Sequence, residues 1–148
     1  PTVVKEPTNL AARSRALYGA WLGGAALGSV SMGLHHKLCH TLGGTYNLPH
    51  AELHAIILPH AAAYNRHAAP EAMRWIARAL GVGDAAVGIW DLAVSVGARV
   101  ALKEIGMREE ALNEAAELAT HDPYDNPALV TREGVRKLLA EAYEGRRP

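Results

Sequence analysis

Apolar and polar positions divide the chain unevenly. From residue 10 to residue 34 apolar and small side chains run almost unbroken, and residues 16–34 carry no charge at all. Residues 1–70 hold seven Asp, Glu, Lys and Arg, whereas residues 71–148 hold twenty-three. The first half therefore reads as buried and the second as a solvated, amphipathic shell. Asn9 is placed to cap a long helix running to about residue 42, which the Gly43 and Gly44 pair would stop. Tyr46, Asn47 and Pro49 read as a loop. Pro49 suits the start of a second helix, with His50, Glu52, His54, an apolar AIIL run and a bend at Pro59 before Tyr64 and Asn65. Residues 70–80 predict a short helix with Pro70 in its first turn and Gly81 after its end. Asp84 caps a longer one, AAVGIWDLAVSVGARVALKEI, stopped by Gly106. Residues 108–120 form an amphipathic helix with acids early; HDPYDNP is a loop; Thr131 caps the last helix, REGVRKLLAEAYEG. No segment alternates with period two and no heptad repeats. The expected architecture is all-α, a bundle of about six helices.

Nineteen uncharged residues are long enough to raise the question of a membrane span. The run contains five glycines and two serines and flows directly into His-Lys-His sequence, which sits badly in lipid. Gly19/Gly23 and Gly24/Gly28 are four apart, a spacing that lets helices approach closely. Each glycine inside a helix costs about 1 kcal/mol relative to Ala, and packing must offset that. The expected element is a central helix, surrounded by others, that positions the histidines. A length of 148 residues suits one domain with a real core, and a formal net charge of zero gives no reason to expect nucleic acid or an acidic membrane surface as partner. The single cysteine, Cys39, excludes an internal disulfide and fits a reducing cytoplasm. It reads as a small packed side chain; adjacent helical residues point about 100° apart, which disfavours a dyad with His40. The chain shows no signal-peptide pattern and opens PTVVKEPTN, without Met, like a linker entering a helix; the expectation is a fragment of a longer protein.

Seven of the eight histidines fall within residues 33–67. His36 and His40 are four apart, as are His50 and His54. Such pairs share a helical face, and two pairs joined by a tight loop can bring three or four imidazoles to one point. Imidazole is the commonest transition-metal ligand and the side chain best placed to move protons near neutral pH. His36, His40 and His50 are therefore read together as a site. His60 reads as a buried core histidine and His67 as part of a polar run. Glu52 is a candidate for orienting a histidine, or a surface carboxylate.

The pattern H-x-x-x-H-x-x-G-G from His36, then Pro49-His50, then L-P-H-x-x-x-Y-N from Leu58, resembles the iron-containing alcohol dehydrogenases, in whose dehydroquinate synthase-like helical domain it occurs. Within that family, LHHKLCHTLGG, PHAELH, ALYGAWLGG and HDPYDNP are similar to the maleylacetate reductase branch. The resemblance implies a C-terminal helical domain facing an N-terminal α/β domain that binds NADH or NADPH, in a cytoplasmic homodimer. It implies hydride transfer to a small dicarboxylate, maleylacetate, giving 3-oxoadipate in bacterial breakdown of aromatic compounds. It makes His36 and His50 equivalents of family metal ligands, placed on the substrate where no metal is used, and His40 the proton-transfer residue. His35, Glu52 and His54 become supporting candidates. Two departures qualify this. The family's upstream Asp-x-x-x-His ligand pair is absent, since the first histidine is His35, and two histidines alone make a poor iron or zinc site. The branch is generally metal-free, with Asn in place of that Asp, so a tightly bound metal is not expected. The glycine-rich phosphate loop is also missing, because the glycines of GAWLGGAALG sit in helix-like sequence with no strand before them. The chain alone is expected neither to bind NADH tightly nor to turn over. The alternatives are an iron- or zinc-dependent alcohol dehydrogenase of the same family, with His36 and His50 as ligands beside others from upstream, and a non-catalytic helical binding module.

Overall fold

The computed structural model describes residues 1–148, which form helices and no strand. The chain divides into two compact units, Pro1–Met32 and Gly33–Pro148. The first holds a single turn, α1 (Thr2–Lys5), and a long helix, α2 (Leu10–Leu27). Asn9 caps α2 as expected, its side-chain oxygen accepting from the Ala12 N–H at 3.0 Å. The helix does not continue to residue 42. Residues 28–33, Gly-Ser-Val-Ser-Met-Gly, are poor helix formers, and the Ser29 hydroxyl turns back to donate to the Ala25 carbonyl at 2.8 Å. The expected central, surrounded helix is corrected as well. Only Ala12 of α2 is buried, while Leu17, Tyr18 and Trp21 are exposed by 60–70%, and Tyr18 and Trp21 stack on one another at 5.9 Å. No helix is long and apolar enough to cross a membrane.

The second unit is a bundle built around α4 (His50–Asn65), which packs against α3 (Leu34–Tyr46), α6 (Ala85–Ser95) and α8 (Arg132–Glu144). α5 (Pro70–Leu80) lies on α6, and α7 (Leu112–Thr120) on α8 and α3. The core follows from helical spacing. Leu34, Leu38 and Leu42 bury one face of α3, Leu53, Ile56 and Ile57 one face of α4, and Val135 and Leu139 one face of α8. Fully burying each such side chain stabilises by about 1.5–3 kcal/mol.

Several element ends differ from expectation. Gly43 and Gly44 do not stop α3, which runs to Tyr46 and ends where Asn47 turns left-handed at φ 52°. At Gly43 a Cβ would lie 3.7 Å from the Leu53 side chain, an ordinary packing contact, so the position packs on α4 inside the helix without ending it. Pro59 lies inside α4, fully buried, without ending it. The helix after Asp84 stops at Ser95 and not at Gly106, because Gly97 takes φ 73°; a 3₁₀ turn, Leu102–Ile105, then precedes Gly106. The break after α2 and the stop at Ser95, with the added turn α1 and a 3₁₀ turn, Glu109–Ala111, before α7, resolve about six expected helices into eight α-helical segments and two 3₁₀ turns. Pro70–Leu80 with its left-handed Gly81, and the Thr131-capped α8, fall where the sequence places them. His60 is buried as a core histidine, but its Nε2 makes no hydrogen bond.

The start of α3 is tied to the end of α4 by two asparagines. Asn126, in the HDPYDNP loop, accepts from the Leu34 N–H (3.3 Å) and Asn65 Nδ2 (3.1 Å), and donates to Asn65 Oδ1 (2.7 Å) and the Ala128 carbonyl (2.8 Å). Tyr64 extends the tie, its hydroxyl donating to the Leu129 carbonyl and accepting from the Thr131 N–H. Gly33 permits the approach, because a Cβ there would lie 3.3 Å from both Asn126 Oδ1 and the Asp125 carbonyl. Asn126→Ala removes four hydrogen bonds, leaves partly buried groups unpaired and is expected to cost about 4 kcal/mol, at about 1 kcal/mol per bond. Urea denaturation reads this directly; a loss below about 0.5 kcal/mol, the range of an inert surface change, would show that the clasp contributes nothing.

Candidate active site

α3 and α4, antiparallel about a shared turn, bring five histidines to one place. His35, His36 and His40 stand on α3, His50 and His54 on the first turns of α4. His54 is the centre: its ring lies 4.2 Å from His50, 4.9 Å from His35 and 5.1 Å from His36 by centroids. His36 meets His35 edge-on at 5.0 Å and His40 at 6.3 Å. His40 and His50 are exposed, while His35, His36 and His54 are half-buried. The arrangement is a floor of three imidazoles with one free imidazole on each rim.

Hydrogen bonding assigns the protons of the floor. His35 Nε2 lies 3.1 Å from the backbone carbonyl of His54, which can only accept. His35 Nε2 therefore carries the proton and donates it, leaving Nδ1 as a lone pair. That lone pair faces His36 Nδ1 at 3.4 Å, so His36 donates from Nδ1. In its neutral form His36 then presents Nε2 as an acceptor. Burial pushes the His35 pKa down, against the pull of the His54 carbonyl, and neighbouring His36 lowers it further. Burial, followed by the nearby imidazoles His35, His50, His36 and His40, lowers His54 from 6.5 to about 4. His54 Nε2 is sealed from solvent and has no hydrogen-bond partner.

The donors fit a metal ion poorly. One atom each of His35, Cys39 and His54 lies within 4.8 Å of the others. But His35 Nε2 is committed to a carbonyl, and the Cys39 thiol, fully buried and 3.7 Å from His35 Nε2, is pushed up to about 12 by burial and keeps its proton. His36 and His50 offer two donors, fewer than the three protein ligands a catalytic zinc normally takes. Gly19, Gly23 and Gly24 lie inside α2 with no strand before them, so they do not form a strand-to-helix phosphate loop.

Of the site residues read from sequence, the fold gathers His35, His36, His40, His50 and His54. Glu52 is exposed and hydrogen-bonds no histidine. His67, on its polar run, is exposed. Sequence reasoning passed over the Cys39–His35 contact, although the two are four apart, and it passed over Asn65 and Asn126. Their signal lay in the Tyr-Asn pair ending α4 and in HDPYDNP.

The unfolded chain takes up the His54 proton near 6.5 and the folded chain only near 4, so the unfolded state binds more protons between these values. This contribution to stability is intact above about pH 6.5 and is lost as pH falls toward 4. An imidazole NMR titration is expected to place the His54 midpoint near 4; a midpoint near 6.5 would contradict a buried, neutral His54.

Residues 1–143 match the model of the Fe-containing alcohol dehydrogenase family, C-terminal. A maleylacetate reductase of Burkholderia cepacia is 59% identical over 142 residues, covering 96% of this chain and 40% of its own length. One of Sphingobium indicum is 50% identical over 148 residues, covering 100% of this chain and 42% of its own length. The crystal structure of maleylacetate reductase from Rhizobium sp. strain MTP-10005 aligns with a TM-score of 0.96 at 49% identity, over 100% of this chain and 42% of that one. The chain thus spans about two-fifths of the length of the curated relatives it matches.

Proposed function

Because the chain belongs to the Fe-containing alcohol dehydrogenase family and matches its C-terminal part, we propose that it is the helical domain of a maleylacetate reductase. The observation that supports this most is one cluster of five histidines in a chain 59% identical to such an enzyme. The reaction is reduction of the conjugated double bond of maleylacetate to give 3-oxoadipate. A reduced nicotinamide cofactor, NADH or NADPH, held by an α/β domain outside this chain, supplies the hydride. The helical domain's own task is to bind a dicarboxylate and deliver a proton.

Hydride arrives at one alkene carbon, and the electron pair of the double bond moves onto the conjugated carbonyl as an enolate. The enolate is completed by a proton at the neighbouring carbon. His40 is the proton donor in this reading, because it is exposed on the rim and joined to the floor through His36. His36 and His50 hold the substrate's carboxylates and carbonyl, and as hydrogen-bond donors or imidazolium they stabilise charge developing on oxygen. His35 fixes the His36 ring from below. His54, neutral and closed to solvent at Nε2, packs its ring against His36 and His50 and holds them in place. No step requires a metal. The protein works as a homodimer in the cytoplasm, and the 148-residue chain alone is inactive.

Within the complete enzyme, His40→Ala is expected to lower the maximal rate about a hundredfold or more while leaving NADH binding nearly intact. A loss under about threefold would remove His40 from the mechanism. The reading that keeps an iron or zinc ion at His36 and His50 is favoured only by those positions matching family ligands. EDTA separates the two: activity that survives the chelator is expected, and activity lost to EDTA and restored by iron or zinc would establish the metal-dependent reading.

A further inference from the structure

Between Arg15 and Arg66 the chain carries two charged side chains, Lys37 and Glu52. α3 and α4, which build the histidine cluster, therefore hold one cation and one anion between them. Glu52 is exposed in the first turn of α4. Lys37 differs from the other three lysines, Lys5, Lys103 and Lys137, which are exposed, because it alone is half-buried. It enters none of the ion pairs of the chain. Its Nζ lies over the ring of Tyr124, 5.6 Å from the centroid. That contact offsets part of the cost of drawing an ammonium from water and leaves N–H groups facing away from the ring for an anion. A methionine would cover the Tyr124 ring with no charge to desolvate; the ammonium is what the position adds.

Helical spacing places this ammonium beside the residue assigned the proton transfer. On α3, His40 lies about 40° round the helix from His36, and Lys37 about 60° beyond His40 and about 4.5 Å back along the axis. The row His50, His54, His36, His40 is joined by ring distances of 4.2, 5.1 and 6.3 Å. Lys37 extends it past His40. His40 thus stands between an imidazole on one side and the one cation of the two helices on the other.

The groups along the substrate come in the same order. The carbon that His40 protonates has the carbonyl carbon on one side. On its other side is the hydride-accepting carbon, which bears a carboxylate. With His36 at the carbonyl, that carboxylate falls to Lys37. We propose that Lys37 binds the carboxylate borne by the double bond, and so makes the enzyme select a dicarboxylate over a monocarboxylate. His36 and His50 keep the carbonyl and the far carboxylate, and Tyr124 steadies the flexible lysine stem. The proposal rests on the maleylacetate reductase reading of the site.

The test uses the complete enzyme with maleylacetate and with 3-oxo-4-pentenoate, which has hydrogen in place of the carboxylate on the double bond. The same hydride and proton steps reduce both. The unaltered enzyme is expected to favour maleylacetate at least about tenfold in kcat/KM, the scale of one charge-assisted hydrogen bond. Lys37→Met is expected to raise KM for maleylacetate about tenfold or more with kcat within about threefold, and to leave kcat/KM for the analogue unchanged. Lys37→Arg, which keeps the charge, is expected to recover most of the affinity for maleylacetate. A purely structural role over Tyr124 would harm both substrates alike, and that result overturns the proposal. So does an unchanged KM for maleylacetate in Lys37→Met, or Lys37→Arg as impaired as Lys37→Met. Lys37→Gln takes the place of Lys37→Met in the same comparison if the methionine variant fails to fold. An unaltered enzyme that leaves maleylacetate unreduced would overturn the reading of the site itself, and the role of Lys37 with it.

Discussion

The pair of hydrogen bonds between the side chains of Asn65 and Asn126 holds the site in its geometry. α3 does not inherit its position from the helix before it, because residues 28–33 break the chain and α3 starts anew at Leu34. Its first free N–H is taken by Asn126, and Asn126 is held by the last residue of α4. The clasp thereby joins the beginning of one histidine helix to the end of the other. The opposite ends meet at the turn after Asn47. With both ends fixed and leucines interleaved between them, the helices have one register, and that register places His54 against His35, His36 and His50.

Burial and crowding favour the neutral imidazole at His35 and His54. Packing positive charges at ring distances of 4–5 Å is unfavourable, and partial burial adds to the cost. Both effects push His54 the same way, and burial does the same to His35. A half-buried floor under two exposed rims divides the labour: rings fixed by packing and hydrogen bonds below, and groups open to solvent and substrate above. Cys39 behind His35 is a packed, protonated thiol and adds neither a nucleophile nor a metal ligand.

Much of this was legible in the sequence, and for identifiable reasons. The i, i+4 pairs His36/His40 and His50/His54 mark one helical face each, and Asn9, Pro70, Gly81 and Thr131 mark helix ends through local chemistry that tertiary context did not override. Family resemblance supplied roles that spacing alone does not. What local rules missed depended on long-range partners. Gly43 reads as a stop but lies inside α3 next to Leu53 of α4, a neighbour visible only once α4 is in place. The uncharged run before the site reads as a core helix because hydrophobicity does not name the surface that covers it; within this chain α2 keeps its tyrosine and tryptophan exposed. Asn126 lies sixty-one residues from Asn65, beyond the reach of any spacing rule.

The most direct test is a long-range ¹H–¹⁵N spectrum of the imidazoles, which reports which ring nitrogen of each histidine carries the proton. The structure requires His35 as the Nε2–H form with an unprotonated Nδ1, and His36 as the Nδ1–H form, with both assignments lost in Asn126→Ala as the helices shift. His35 found as the Nδ1–H form, or a pattern untouched by Asn126→Ala, would contradict a site built on a clasped, hydrogen-bonded histidine floor.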